Sequence, residues 1–261
     1  MKYAVKLGGS AIAPKDRAYI ARKDVIARLA QELARSGEQC LVVHGGGSFG
    51  HAAATEHGMT GGALDGPKGR EAFSHIHRAM ERLNAAVMDG LLKAGIPAVA
   101  VPPAVVCTLE EGRIVNLNEE PVRFIVDGGM TPVLFGDVVQ DRARGFAIVS
   151  GDQLLAYLAP RLGIERAVLC SDVDGVYTAD PSMNPGASRI DVLTPDLLVS
   201  VEVGGSAVSD VTGGMRGKLD ELLPLARVGV ESLVIDANAP GALERALGGV
   251  TDEGTFIPVI T

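Results

Sequence analysis

The run Cys40-Leu41-Val42-Val43-His44 leads without a break into Gly45-Gly46-Gly47-Ser48-Phe49-Gly50-His51. A short apolar run of this kind reads as a buried strand. Three glycines at its end let something large and anionic approach the backbone, because successive amides without Cβ atoms between them can turn toward one centre. A helix starting there adds the partial positive charge of its N-terminus. His51 supplies a side-chain donor at the end of the loop. A second glycine turn, Lys6-Leu7-Gly8-Gly9-Ser10, follows the first apolar segment. Two such loops on neighbouring strands suggest two phosphate groups facing each other, which is the geometry of a kinase.

A chain of 261 residues can bury a substantial core. Apolar residues make up 47% and charged residues 21%, the balance of an ordinary globular protein. The 33 glycines and few aromatics suit an enzyme with many tight loops. A net charge of -8 argues against a general nucleic-acid or anionic-membrane binder. It leaves anionic substrates open, since local amides and a few lysines bind them in an acidic protein. Cys40, Cys107 and Cys170 are widely spaced and form no Cys-x-x-Cys pair, so they read as small core residues in a reducing, cytoplasmic setting. Lys6 interrupts the first apolar stretch early, and no run approaches the roughly 18 apolar residues of a membrane span.

Strand-like and helical patterns alternate along the chain. Strands are expected at residues 3–7, 40–44, 98–101, 131–135, 166–171 and 232–236. Helices are expected at 24–35, 71–93, 121–127, 153–162, 215–227 and 242–247. This alternation implies βαβ units and a mostly parallel sheet covered on both faces. Residues 105–115 and 137–149 break the pattern and read as β-hairpins forming a rim or lid. The proline- and glycine-bearing stretch 178–189 reads as a surface loop. The best internal boundary falls near Ser150. Residues 1–149 would hold an acceptor substrate and 150–261 a nucleotide, within one domain spanning 1–261.

Several motifs carry competing readings. Gly45–Gly50 fits G-x-G-x-x-G formally, but it follows the second strand. The acidic residue a dinucleotide fold needs about 20 positions on would fall in the loop-like Gly61-Gly62-Ala63-Leu64-Asp65-Gly66. A Walker A loop is absent: Thr212 stands where its first glycine belongs before Gly217-Lys218, and Leu219 replaces Ser or Thr. Lys6 is either an edge-strand lysine reaching solvent or a lysine aimed at a transferring phosphoryl group. The glycines beside it favour the second reading. His51 either caps a helix or touches ligand, and the triple-glycine loop favours contact. His57, His75 and His77 read as surface or pocket-lining. Asp152, in Ser150-Gly151-Asp152-Gln153, is either an N-cap or a carboxylate holding two lysines. Asp172 and Asp174 lack the rest of an EF-hand loop, so ribose or the loop amides around a nucleotide are their expected contacts. A third glycine-rich loop, Asp210-Val211-Thr212-Gly213-Gly214-Met215, leads into a helix that delivers Lys218.

In this order, the motifs resemble those of the amino acid kinase family along nearly the whole chain. Within it, the likeness is greatest to the isopentenyl phosphate kinases. It rests on Gly47-Ser48-Phe49-Gly50-His51, Lys15-Asp16, Gly136-Asp137-Val138-Val139, Ser150-Gly151-Asp152-Gln153-Leu154, Asp174-Gly175-Val176-Tyr177-Thr178 and Asp210-Val211-Thr212-Gly213-Gly214-Met215. Fosfomycin kinases look similar around the histidine loop, whereas uridylate kinases lack the histidine there. The resemblance implies a three-layer αβα sandwich with a mostly parallel central sheet and β-hairpin lid elements, active as a homodimer. It implies transfer from ATP, with Mg2+ arriving on the nucleotide, to isopentenyl phosphate. Lys6, Lys15 and Lys218 would neutralise charge, and Asp152 would orient lysines. The backbone around Gly8, Gly9, Ser10, Gly46 and Gly47 would supply donors, and His51 and Gly151 would hold the acceptor phosphate. Asp172, Asp174, Tyr177, Gly213 and Lys218 would meet the nucleotide. For an acceptor's apolar tail, Phe73, Ile76, Met80 and Leu83 are candidates at helical spacing, although the same residues could simply pack on the sheet.

Overall fold

Continuous apolar strands, buried on both faces, require helices above and below them. The computed structural model meets that requirement; it describes residues 1–14, 16–59, 66–179, 181, 183–184, 186–194, 197 and 214–260. The first stretch runs β1 (Tyr3–Leu7), α1 (Gly9–Ile12), α2 (Lys23–Ser36), β2 (Cys40–His44), α3 (Gly47–Glu56) and α4 (Gly66–Lys93). It continues with β3 (Ala98–Ala100), α5 (Pro103–Val106), β4 (Cys107–Glu110), β5 (Arg113–Leu117), α6 (Glu120–Asp127) and β6 (Thr131–Phe135). Then come β7 (Asp137–Asp141), β8 (Gly145–Val149), α7 (Gly151–Arg161), β9 (Arg166–Ser171), β10 (Val176–Tyr177) and β11 (Arg189–Ile190). The chain closes with α8 (Gly214–Arg227), β12 (Glu231–Asp236), α9 (Ala242–Leu247) and β13 (Gly254–Ile257).

The central sheet has strand order β13-β12-β9-β1-β2-β6-β3. Every pairing in it is parallel except that of β13 with β12. Alternate residues feed two cores. Ala4, Leu41, Val43, Leu134, Leu169 and Val234 pack with Leu154 and Leu158 of α7 and Leu222 of α8. Val5, Val42, Val133, Val168 and Leu233 pack with Leu29 of α2, Leu83 of α4 and Leu243 of α9. The result is the expected three-layer αβα arrangement. The two expected hairpins are present and join through a parallel β4–β7 pairing into a second sheet, β5-β4-β7-β8. The first of them starts later than expected, because Pro103–Val106 forms a helical turn ahead of it. The short α1 and the edge strand β13 carry no sequence signal of the kind used above.

β1 lies between β9 and β2. Lys6 is therefore not on an edge: it is 4% exposed, in the centre of the sheet. It shares the face of Ala4, two residues earlier, which is the face covered by α7. The connections from β1 to β2 and from β9 to β12 leave in opposite directions, so the carboxyl ends of β1 and β9 flank a topological switch point. Open parallel sheets bind ligands at such points.

One buried carboxylate secures the outer layer. Glu32 sits on the apolar face of α2 with no exposed surface. It accepts from the amides of Gly241 (2.9 Å) and Leu243 (3.1 Å) at the start of α9, and Arg28 donates to it at 2.7 Å. Glu32→Ala leaves those two amides without an acceptor and takes the carboxylate from the partly exposed Arg28, which keeps the carbonyls of Ala237 and Ala239. The expected destabilisation is about 2–4 kcal/mol. It should appear as a lower denaturant midpoint with an unchanged m-value; a midpoint within error of the parent would refute the assignment.

Candidate active site

The carboxyl ends of adjacent strands are knitted by backbone bonds. Gly8 N donates to Cys170 O (2.8 Å), Gly45 N to Leu7 O (3.0 Å) and Gly136 N to His44 O (3.0 Å). The two glycine turns then press together. A Cβ on Gly45 would lie 2.7 Å from Gly9 N, and one on Gly9 would overlap Gly47 N. Gly47 has φ 48, a left-handed conformation that favours glycine. At the start of α3, Ser48 N donates to Ala13 O (2.9 Å), and Phe49 N and Gly50 N both donate to Gly46 O (3.1 Å). None of these bonds uses the amides of Gly46 or Gly47, and both residues line the cleft at the start of α3, where a helix dipole is positive.

One cleft collects most of the residues singled out from the sequence. Lys6, Gly8, Gly9, Ser10, Gly46, Gly47, His51, Gly151, Asp152, Asp172 and Lys218 all line it. Lys6 Nζ donates to Asp152 Oδ1 at 2.6 Å, with both side chains almost fully buried. The cap of α7 is Ser150, whose Oγ accepts from Gln153 N at 3.1 Å. Asp152 is therefore not an N-cap: it sits in the first helical turn, turned toward Lys6. Asp174 and Tyr177 are not part of the described lining. They bond to each other at 2.7 Å near the β10–β11 pair. Lys15 and Gly213 lie outside the described residues, as does most of the Asp210–Met215 loop.

The wall beyond His51 is apolar. Ala54, Ile76, Met80 and Ile148 line it. Of the four tail candidates on α4, Ile76 and Met80, one turn apart, face the cleft. Phe73 instead packs against Phe146 with ring centroids 5.1 Å apart, and Leu83 is buried in the core beneath the sheet. Gly136, Asp137 and Ile148 also line the cleft, contributed by the second sheet. No functional role for these three follows from the sequence alone, because it depends on how two hairpins dock. Among the described residues no group of three or more His, Cys, Asp or Glu side chains could hold a metal ion. No helix there is long and apolar enough to cross a membrane.

His44, directly before the glycines, is a structural group. It is fully buried and stacks on Phe135 (5.4 Å). Its Nδ1 lies 3.0 Å from Gly45 O, and its Nε2 lies 3.2 Å from the side-chain amide of Asn84 on α4. Burial, aided by the nearby positive charge of Lys6, pushes its pKa down to about 4. A neutral ring therefore pins the first carbonyl of the loop.

These features define an α/β protein with two glycine turns and a buried lysine–carboxylate pair lining one cleft at the carboxyl end of its parallel sheet. The chain belongs to the amino acid kinase family, whose model matches residues 1–236. It is 42% identical over 262 residues to the isopentenyl phosphate kinase of Methanothermobacter thermautotrophicus, covering 97% of each chain. It is 34% identical over 221 residues to that of Thermoplasma acidophilum, covering 85% of each. Among solved structures, one of isopentenyl phosphate kinase matches with a TM-score of 0.85 at 37% identity, over 98% of this chain and 100% of that one.

The depressed pKa of His44 sets a pH dependence. An unfolded histidine titrates near 6.5, so between pH 6.5 and about 4 the unfolded chain takes up a proton that the folded chain refuses. Stability is present above that window and is lost as pH falls through it, by up to about 3 kcal/mol from this group. In His44→Asn that part of the slope should vanish from denaturant midpoints measured between pH 4 and 7. An unchanged slope would mean that His44 is not held neutral.

Proposed function

We propose that the protein transfers the γ-phosphoryl group of ATP to isopentenyl phosphate, giving isopentenyl diphosphate and ADP. The observation that carries this reading is the Lys6–Asp152 pair, set where two glycine cradles on neighbouring strands face one cleft. The likeness to isopentenyl phosphate kinases over nearly the whole chain supports the acceptor. So does an apolar wall of Ala54, Ile76, Met80 and Ile148 next to His51, which suits a short hydrocarbon tail better than a nucleoside.

The chemistry asks little of a base. A phosphate monoester is already largely ionised at neutral pH. One of its oxygens forms a bond to the γ-phosphorus as the bond from that phosphorus to ADP breaks. Catalysis then consists of alignment and charge neutralisation across a loose transition state. Gly46, Gly47, His51 and Gly151 hold the acceptor phosphate. Gly8, Gly9 and Ser10 face the donor phosphates, with Gly47 between the two. Lys6, Lys15 and Lys218 neutralise the charge that develops, and Asp152 keeps Lys6 extended toward the transferring group. Asp172, Asp174, Tyr177 and Gly213 serve the nucleotide. In this reading residues 1–149 form the acceptor half and 150–261 the nucleotide half of one domain. Mg2+ arriving on the ATP phosphates would screen their charge. The family resemblance supports a homodimer. Three buried, unpaired cysteines suit a reducing cytoplasm.

An ADP-release assay with isopentenyl phosphate, dimethylallyl phosphate, geranyl phosphate, fosfomycin and UMP tests the acceptor. Isopentenyl phosphate should give the highest kcat/KM; equal or faster turnover of UMP or fosfomycin would overturn the assignment.

Asp152→Asn tests the mechanism. The substitution preserves shape and leaves the Ser150 cap intact, but it puts a neutral amide opposite a buried lysine. The expected fall in kcat is about 100-fold or more, comparable to losing a transition-state donor elsewhere. A folded variant with parental kcat would remove Asp152 from the mechanism.

A further inference from the structure

Asp137 places a carboxylate where a site for anions should not have one. It opens β7 directly after Gly136, is 1% exposed, and lines the same cleft as His51 and Gly151. An isolated buried negative charge there would repel a bound phosphate. Its partner is His77 on α4, which lies outside the described cleft lining, beside Phe73 one turn earlier (ring centroids 6.2 Å). His77 Nδ1 lies 2.8 Å from Asp137 Oδ2, while Asp137 Oδ1 accepts from Val138 N at 2.9 Å. On the other side of the ring, Nε2 is 3.7 Å from Glu81 Oε1. Among the described residues, Asp137 from β7 and Glu81 from α4 itself are the charged groups acting on His77. None does so from α2, α3, β3, β6 or β8, the other elements packed on α4. The hydrogen bond to Asp137 raises the imidazole above its ordinary pKa, against partial burial, and burial raises the Asp137 carboxyl.

We propose that His77 is a positioning residue for the acceptor: as an imidazolium it cancels the charge of Asp137 in the cleft wall and fixes the start of β7. When it loses its proton, the wall becomes net negative and acceptor binding weakens, while the ATP side is unaffected. The inference rests on the reading of the His51 side of the cleft as the acceptor side.

His77→Gln keeps a donor for Asp137 but never carries charge, which separates charge from packing. The measurement is the ratio of acceptor KM, variant over parent, across pH, with isopentenyl phosphate as the probe. Taking the ratio cancels the ionisation of the substrate itself. It should be about tenfold near pH 6, where the parent is charged, and should fall toward one as pH rises and the parent ring loses its proton too. The KM for ATP should stay within about twofold throughout. A ratio that does not change with pH, or an equal rise in the KM for ATP, would reduce His77 to packing and overturn the proposal. A second readout does not depend on turnover. The NMR titration midpoint of His77 should drop by about one pH unit in Asp137→Asn, and an unmoved midpoint would also overturn the proposal. If isopentenyl phosphate is not phosphorylated at all, it is the functional reading that fails, and the titration still decides whether Asp137 holds the proton on His77.

Discussion

Where β1 and β2 end, two backbones meet with no side chain between them. Gly9 and Gly45 approach so closely that a Cβ on either would enter the other loop's peptide, and Gly47 completes the contact in a left-handed conformation. This contact sets the two glycine loops side by side at the mouth of one cleft. Parallel pairing of β1 and β2 in register, with Leu7 opposite His44, aligns the loops at the same height. The backbone groups beneath are consumed in strand-to-strand bonds from Gly8 N to Cys170 O, Gly45 N to Leu7 O and Gly136 N to His44 O. A side chain at Gly9 or Gly45 would push the two loops apart.

The second constraint is a charge in the sheet. Lys6 takes the place of an apolar residue in a central strand, and Asp152 meets it from α7 at 2.6 Å. Buried pairs of this kind contribute little net stability and are strongly destabilising when one partner is lost. In the proposed transfer their value is orientation: the strand and the helix hold both groups in place, so the reaction would need no reorganisation of the pair. His77 and Asp137 form a second such pair at the cleft wall, 2.8 Å apart, with an imidazole in place of the ammonium.

The sequence was most legible where one physical signal dominated. The strands at 3–7, 40–44, 131–135 and 166–171 coincide with the observed ones because each is a short, mostly apolar run ended by glycine or a polar residue, even where Lys6 breaks the first. Helix bounds differed by a few residues, as with α4, which begins at Gly66. Which side chains on a helix reach a cleft was not legible. Phe73, Ile76, Met80 and Leu83 share a spacing, yet only Ile76 and Met80 face the site, because the second sheet covers the α4 surface at Phe73 and the central sheet covers Leu83. Lys6 was readable as a site residue from its glycines, but its central position needed the strand order. Asp137 and His77, 60 residues apart, meet through the docking of a hairpin on a helix, which leaves no local pattern.

The central claim is that the two glycine loops form one cradle for two phosphates, with Lys6 between them. A crystal structure with a non-hydrolysable ATP analogue and isopentenyl phosphate bound together tests it most directly. The account predicts the acceptor phosphate on Gly46, Gly47 and His51, the terminal donor phosphate over Gly8–Ser10, and the Lys6 ammonium in contact with the donor group. An acceptor phosphate bound away from the Gly45–Gly47 loop, or donor phosphates occupying that loop instead, would contradict it.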